Sequence, residues 1–152
     1  MSAPASPGTS IRQAADGAEP FRLAAAFEGC SLSRAEWTHR AHLLVGLWYA
    51  SRLPPEAALD AMRTGLRRLN DSHGVETNGT GGYHETITRA YMRLIGQFVV
   101  EDGNEDGWAA RTERLLAHHG ERDHLLLYYS RERLMSEEAR TGWVEPDLRP
   151  LP

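Results

Sequence analysis

The stretch SRAEWTHRAHLLVGLWYAS, residues 33–51, decides the fold of this chain. Ser33 and Glu36 match a capping box. In this motif the serine side chain accepts a hydrogen bond from the backbone N–H of the glutamate, and the glutamate side chain accepts one from the backbone N–H of the serine. The apolar side chains that follow point in almost every direction around a helix axis. An apolar circumference is typical of a helix that other helices cover on most sides. We therefore predict a central helix from Ser33 to about Ser51.

The remaining segments predict the helices that cover this central one. Each shows apolar residues at a spacing of three and four, and none alternates as a strand would. The predicted helices cover about residues 20–28, 54–70, 83–100, 108–118 and 123–134, with a helical turn at 136–140. The fold class is therefore all-α, a single-domain bundle of about five or six helices.

The 152 residues suffice for one domain with a core and are too few for two ordinary domains. Residues 1–18 are rich in Ala, Ser, Pro and Gly, and we expect a disordered lead-in there. Residues 19–152 then form the single α-helical domain.

The composition of the chain limits the classes of partner that it can bind. A net charge of −4 provides no basic field for a polyanion, so we expect no nucleic-acid partner. No apolar run reaches the ~18 residues that span a bilayer, so we expect no membrane partner. The first residues lack the pattern of a secretory signal, and we expect a bacterial-type cytoplasm. A small-molecule substrate or ligand is the expected partner. The sequence leaves undecided whether the chain forms a homo-oligomer.

Two residue types exclude several chemistries. All seventeen basic residues are arginine, so neither a Schiff-base lysine nor a phosphate-loop lysine exists here. Cys30 is alone, which excludes an internal disulfide and a cysteine zinc cluster. We expect Cys30 to be a small buried apolar residue.

Three histidines are the candidate metal ligands. His39 and His42 lie one turn apart on the central helix, beside small or apolar neighbours. His84 lies in the apolar sector of the predicted fourth helix, directly after a glycine pair. Together they offer three imidazoles to a divalent ion such as Zn, Fe or Mn. No organic cofactor is expected.

Three further residues complete the candidate site. Glu85 is a possible fourth ligand or the general base on a metal-bound water. Tyr83 is a second catalytic candidate, because a buried tyrosine needs a partner for its hydroxyl. Arg140 is a candidate clamp for a carboxylate or phosphate of a bound molecule, with an ion pair to Asp147 or Glu145 as the structural alternative.

The other histidines have weaker claims. His73 lies in a turn and could swing toward the site. His118 and His119 end the predicted fifth helix, where cationic side chains favour the helix dipole, and we expect that role for them. His124 opens the next helix and is likewise expected to be structural.

The predicted function is a small enzyme whose metal site acts on a small organic substrate by hydrolysis, elimination or oxidation. The pair HxxH is a weak motif, so two alternatives stay open. One is a non-catalytic small-molecule binding or sensor protein that uses the same His/Glu/Tyr pocket. The other is a helical interaction module whose histidines serve packing.

The strings WTHRAHL at residues 37–43 and GYHET at residues 82–86 resemble those of a family of short, all-helical, uncharacterised bacterial proteins. The endings at residues 128–130, 139–140 and 143–148 are similar as well. The resemblance covers about residues 27–150 and implies a free-standing unit. It implies no activity.

Overall fold

The computed structural model describes residues 18–78, 80–103 and 105–152, and within them the regular structure is helical without a strand. The all-α single-domain bundle is therefore confirmed. Most of the predicted lead-in, residues 1–17, lies outside the described residues. The helices are α1 Ala18–Glu28, α2 His39–Arg52, α3 Pro55–Ser72, α4 Glu85–Asp102, α5 Gly107–His119, α6 Arg131–Leu134 and α7 Glu137–Thr141, with a 3-10 turn at His124–Leu127.

Helix α2 is the central helix, as predicted. It packs against α1, α3, α4 and α5, and Leu43, Leu44, Val45 and Leu47 are each at most 1% exposed. At Gly46 a Cβ atom would lie 2.7 Å from Cδ1 of Ile95 on α4. The missing side chain is thus what lets α2 and α4 approach closely.

The start of α2 differs from the prediction. The capping box does form, with Glu36 N–H donating to Ser33 Oγ at 3.2 Å, but it closes only a turn. Thr38 caps α2 instead, because its backbone is extended and its hydroxyl accepts from the Ala41 N–H at 3.2 Å. His39 is therefore the first residue of the helix.

The start of α4 also differs. His84 was predicted inside a helix that begins at Tyr83, and this is wrong by two residues. His84 has extended backbone angles, and its Nδ1 accepts from the Ile87 N–H at 3.1 Å. The imidazole is thus the N-cap of α4, taking a role that short oxygen-bearing side chains usually fill.

The prediction of one continuous helix over residues 123–134 is wrong. The segment instead forms a 3-10 turn and a separate short helix. After the 3-10 turn, Ser130 caps α6 by accepting from the Arg133 N–H at 3.3 Å. Asp147 fixes this break: its carboxylate accepts from the Ser130 N–H at 2.7 Å and the Ser130 hydroxyl at 2.6 Å. Tyr128 and Tyr129 are buried in a second apolar cluster beside Leu94.

In the described part of the chain, no helix combines the length and the apolar character needed to cross a bilayer.

Candidate functional site

A cavity of about 790 Å³ lies between α2, α3, α4 and the segment 122–135. The three predicted metal ligands, His39, His42 and His84, all line it, as does Tyr83. The apolar part of the wall is formed by Trp37, Leu43, Met62, Leu66, Ile87, Met92, Ile95, Leu125, Leu126, Leu134 and Met135. Its size and mostly apolar lining are those of a site for a small organic molecule.

His42 is a neutral hydrogen-bond acceptor in this wall. Its Nδ1 lies 2.8 Å from the Thr38 carbonyl oxygen. Because a carbonyl only accepts, Nδ1 carries the proton and Nε2 keeps its lone pair. The Trp37 ring packs on the imidazole with centroids 3.9 Å apart. Burial lowers the pKa of His42 to about 4, so the ring is uncharged near neutral pH.

His39 has a similar arrangement in the opposite tautomer. Its Nε2 lies 3.2 Å from the His119 carbonyl oxygen, so Nε2 donates and Nδ1 keeps the lone pair. The ring meets the edge of Tyr91 at a centroid distance of 5.3 Å. His39 and His42 therefore each retain one nitrogen that can accept a hydrogen bond or bind a metal ion.

His84 has no such nitrogen left. Nδ1 accepts from Ile87, as described above, and Nε2 donates to the Leu134 carbonyl oxygen at 2.7 Å. Burial lowers the pKa of His84, which favours this neutral form. To bind a metal ion, the ring would have to give up one of the two hydrogen bonds.

Among the residues that the structure describes, no group of three His, Cys, Asp or Glu side chains is placed to hold a metal ion. The divalent metal ion (Zn, Fe or Mn) on His39, His42 and His84 stays a prediction.

Glu85 is not part of the cavity wall. Arg63 on α3 donates to its carboxylate at 2.6 Å, and the Tyr83 hydroxyl donates to the same oxygen at 3.1 Å. Burial and the neighbouring Glu85 charge raise the pKa of Tyr83 to about 12. The two catalytic candidates are thus hydrogen-bonded to each other, and the carboxylate is held on the α3 side of α4.

Arg140 lies outside the cavity wall as well. Its Nη1 donates to the Gly82 carbonyl oxygen at 3.1 Å, which joins α7 to the glycine pair before α4. Neither of the expected ion pairs forms: Asp147 binds Ser130, and the Glu145 carboxylate accepts from Trp143 Nε1 at 2.9 Å. The ligand-clamp role of Arg140 stays a prediction.

Tyr91 is a cavity residue, although the sequence favours a role in the core for most of the tyrosines Tyr83, Tyr91, Tyr128 and Tyr129. It lines the cavity, and its hydroxyl is buried without a hydrogen-bond partner among the described residues. Burial and the Asp123 charge raise the pKa of Tyr91 to about 12, so the hydroxyl keeps its proton. The sequence signal was its position in register with His84 and Ile87 on one face, which predicts a buried site without distinguishing core from cavity.

The remaining histidines have other roles. His73 Nε2 donates to the Leu32 carbonyl oxygen at 2.7 Å and does not line the cavity. His119 Nδ1 lies 2.9 Å from His124 Nε2. Burial lowers the pKa of His119 to about 4, so the predicted cationic role at the end of α5 is wrong for this residue. Cys30 is a partly buried free thiol packed on the core.

Comparison of the chain with protein-family models, with curated proteins and with solved structures gave no match in any of the three. Function is therefore inferred from the chemistry of the cavity. That chemistry consists of apolar walls, the imidazoles of His39 and His42, and Tyr91, whose buried hydroxyl has no partner among the described residues.

Proposed function

We propose that this protein binds a small organic molecule in the cavity, held in place by hydrogen bonds to His42 and Tyr91. The observation that carries the proposal is Tyr91, whose side chain lines the cavity while its hydroxyl is buried without a hydrogen-bond partner among the described residues. A buried hydroxyl without a partner costs roughly 1–3 kcal/mol. A ligand that brings an acceptor to Tyr91 removes this cost, so the hydroxyl favours the bound state.

The size and polarity of the cavity support the same function. Pockets for small ligands commonly measure about 300–1,000 Å³, and they place a few polar groups in apolar walls. This cavity has about 790 Å³ and offers both kinds of hydrogen-bonding group. The Tyr91 hydroxyl can donate, and the His42 Nε2 lone pair can accept. A ligand with one acceptor and one donor on a compact apolar body fits this pattern.

Binding without turnover is favoured over catalysis by the state of the candidate bases. A general base works best when its pKa lies near the working pH. Burial holds the pKa of His42 at about 4, which makes it a good neutral acceptor and a weak base. The Glu85 carboxylate is occupied by Arg63 and Tyr83. The metal-assisted enzyme thus remains a prediction that metal analysis can test.

The test uses phenylnaphthylamine, an uncharged fluorescent amine with an N–H donor, whose emission rises in an apolar site. We expect saturable binding to the 152-residue chain at one site. Ala35→Trp places a large ring at Ala35, an exposed residue of the cavity wall, and should weaken binding at least about tenfold by excluding the probe.

The matched control is Ala57→Trp, because Ala57 is exposed on α3 and does not line the cavity. It should bind the amine like the wild type. If the two tryptophan variants bind the probe equally well, the cavity is not the binding site and the proposal fails.

A further inference from the structure

Arginines are concentrated at the mouth of the cavity. Four of them line it and are exposed, so they lie where the wall meets solvent: Arg34, Arg40, Arg122 and Arg131. Asp123 is the one acidic residue of the described wall. The chain as a whole carries a net charge of −4, so the charge at this opening is opposite in sign to the overall charge.

Three of the four arginines have no counter-ion. Arg40 pairs with Glu19 at 3.0 Å. Arg34, Arg122 and Arg131 form no ion pair with any residue that the structure describes. Exposed arginines such as Arg68 are also unpaired, but at the mouth three of them share one opening. Their repulsion is relieved when an anion binds between them.

The interior requires the opposite chemistry. Trp37, Leu43, Met62 and Ile95 line it, so the desolvation cost of placing a charge deep in the cavity would not be repaid. A guanidinium at the mouth instead offers two parallel N–H donors to a carboxylate or sulfonate that stays in contact with water. The wall therefore divides into an apolar interior and a cationic entrance.

We propose that the ligand is an amphipathic organic anion, with its apolar body in the cavity and a carboxylate or sulfonate at Arg34, Arg122 and Arg131. The inference rests on the proposed function, because it assigns a chemical class to the molecule that the cavity binds. In this arrangement the arginines at the entrance select for a ligand that carries a negative charge.

The experiment compares two probes that differ in one group. Anilinonaphthalene sulfonate has the two ring systems of phenylnaphthylamine and carries one sulfonate in addition. At low ionic strength the wild-type protein should bind the sulfonate about tenfold more tightly than the amine, because a cationic entrance concentrates the anion. At about 0.5 M salt this preference should largely disappear, whereas binding of the uncharged amine should persist.

Matched triple variants localise the effect. Replacing Arg34, Arg122 and Arg131 by glutamine should abolish the preference for the sulfonate, measured as the ratio of the two dissociation constants. The control replaces Arg22, Arg68 and Arg149 by glutamine, which changes the net charge by the same amount. These three arginines are exposed and lie outside the cavity wall. The control should keep the preference. Single glutamine variants at Arg34, Arg122 or Arg131 should each lower the preference for the sulfonate in part. If the triple variant does not fold, any folded single variant therefore still tests the proposal.

The outcomes separate the two proposals. If the amine binds in the cavity but the sulfonate binds no more tightly, the anionic ligand is ruled out and the cavity site stands. Equal loss of preference in both triple variants also overturns the anionic ligand, because net charge alone then explains the effect. If Ala35→Trp affects neither probe, both proposals fail.

Discussion

The imidazole of His84 donates to the Leu134 carbonyl oxygen at 2.7 Å across 50 positions of sequence. The same ring caps α4 by accepting from the Ile87 N–H. One side chain thus joins the first turn of α4 to the last residue of α6, and both His84 and Leu134 belong to the cavity wall. The relationship makes His84 a structural connector of the site.

Loss of this connector should destabilise the protein. We expect His84→Ala to lower the free energy of unfolding by roughly 1–3 kcal/mol, because it leaves a buried carbonyl and a helix N–H without partners. Urea denaturation measures the change. His118→Ala is the control, since His118 is exposed and outside the cavity wall, and it should be silent. A His84→Ala protein of unchanged stability that had lost a bound metal ion would return His84 to the predicted metal site.

The Tyr91 hydroxyl should cost stability in the ligand-free protein. We expect Tyr91→Phe to raise the free energy of unfolding by about 1 kcal/mol, because it removes a buried polar group that has no partner. Tyr129→Phe is the contrast: the Tyr129 hydroxyl donates to the Val144 carbonyl oxygen at 2.8 Å, so its loss should lower stability by a similar amount. If the two variants lose stability alike, the Tyr91 hydroxyl serves the fold and the binding proposal loses its main support.

The acceptor on His42 should contribute to binding. His42→Phe keeps a ring against Trp37 and removes the Nε2 lone pair, so the amine probe should bind about three- to tenfold more weakly. His118→Phe should bind the probe like the wild type. A fluorescence titration in which His42→Phe retains full affinity would show that the ligand does not use this nitrogen.

Stability should decrease on acidification through the histidine range. Burial lowers the pKa of His42 and of His119 from 6.5 to about 4, and it also lowers the pKa of His84 and His124. A histidine with a lowered folded pKa binds more protons when unfolded, so its contribution is complete above pH 6.5 and is lost as the pH falls toward 4. Denaturation at a series of pH values should show this decline.

The matched measurement uses His42→Phe, in which the decline between pH 6.5 and 4 should be shallower. An identical pH dependence in the variant would mean that the unfolded and folded states protonate His42 alike.

Metal content distinguishes the enzyme hypothesis from the binding proposal. Protein purified without a histidine tag should contain well under one equivalent of Zn, Fe or Mn, because His84 has both ring nitrogens engaged. Elemental analysis gives the answer directly. One equivalent of metal that is lost in both His39→Ala and His42→Ala would instead support the metal-assisted enzyme.

The helical scaffold follows from the local sequence pattern. The apolar circumference of residues 43–48 predicts a central helix, and the structure has Leu44, Val45 and Leu47 fully buried there. This information is local, because helix formation and burial of one face depend on residues three and four apart. The same local pattern placed His39 and His42 one turn apart, and both line the cavity.

The construction of the site depends on contacts between distant parts of the chain. The His84 ring that caps α4 is held in place by the hydrogen bond from its second nitrogen to the Leu134 carbonyl oxygen. The predicted helix is interrupted at Ser130, where Asp147 accepts a hydrogen bond from 17 positions away. Arg34 and Arg122 lie in separate segments, and the fold places them at one opening. Such contacts depend on distances between residues far apart in the chain, and periodicity carries no information about those distances. For the same reason the unpaired Tyr91 hydroxyl could be recognised only once its surroundings were known.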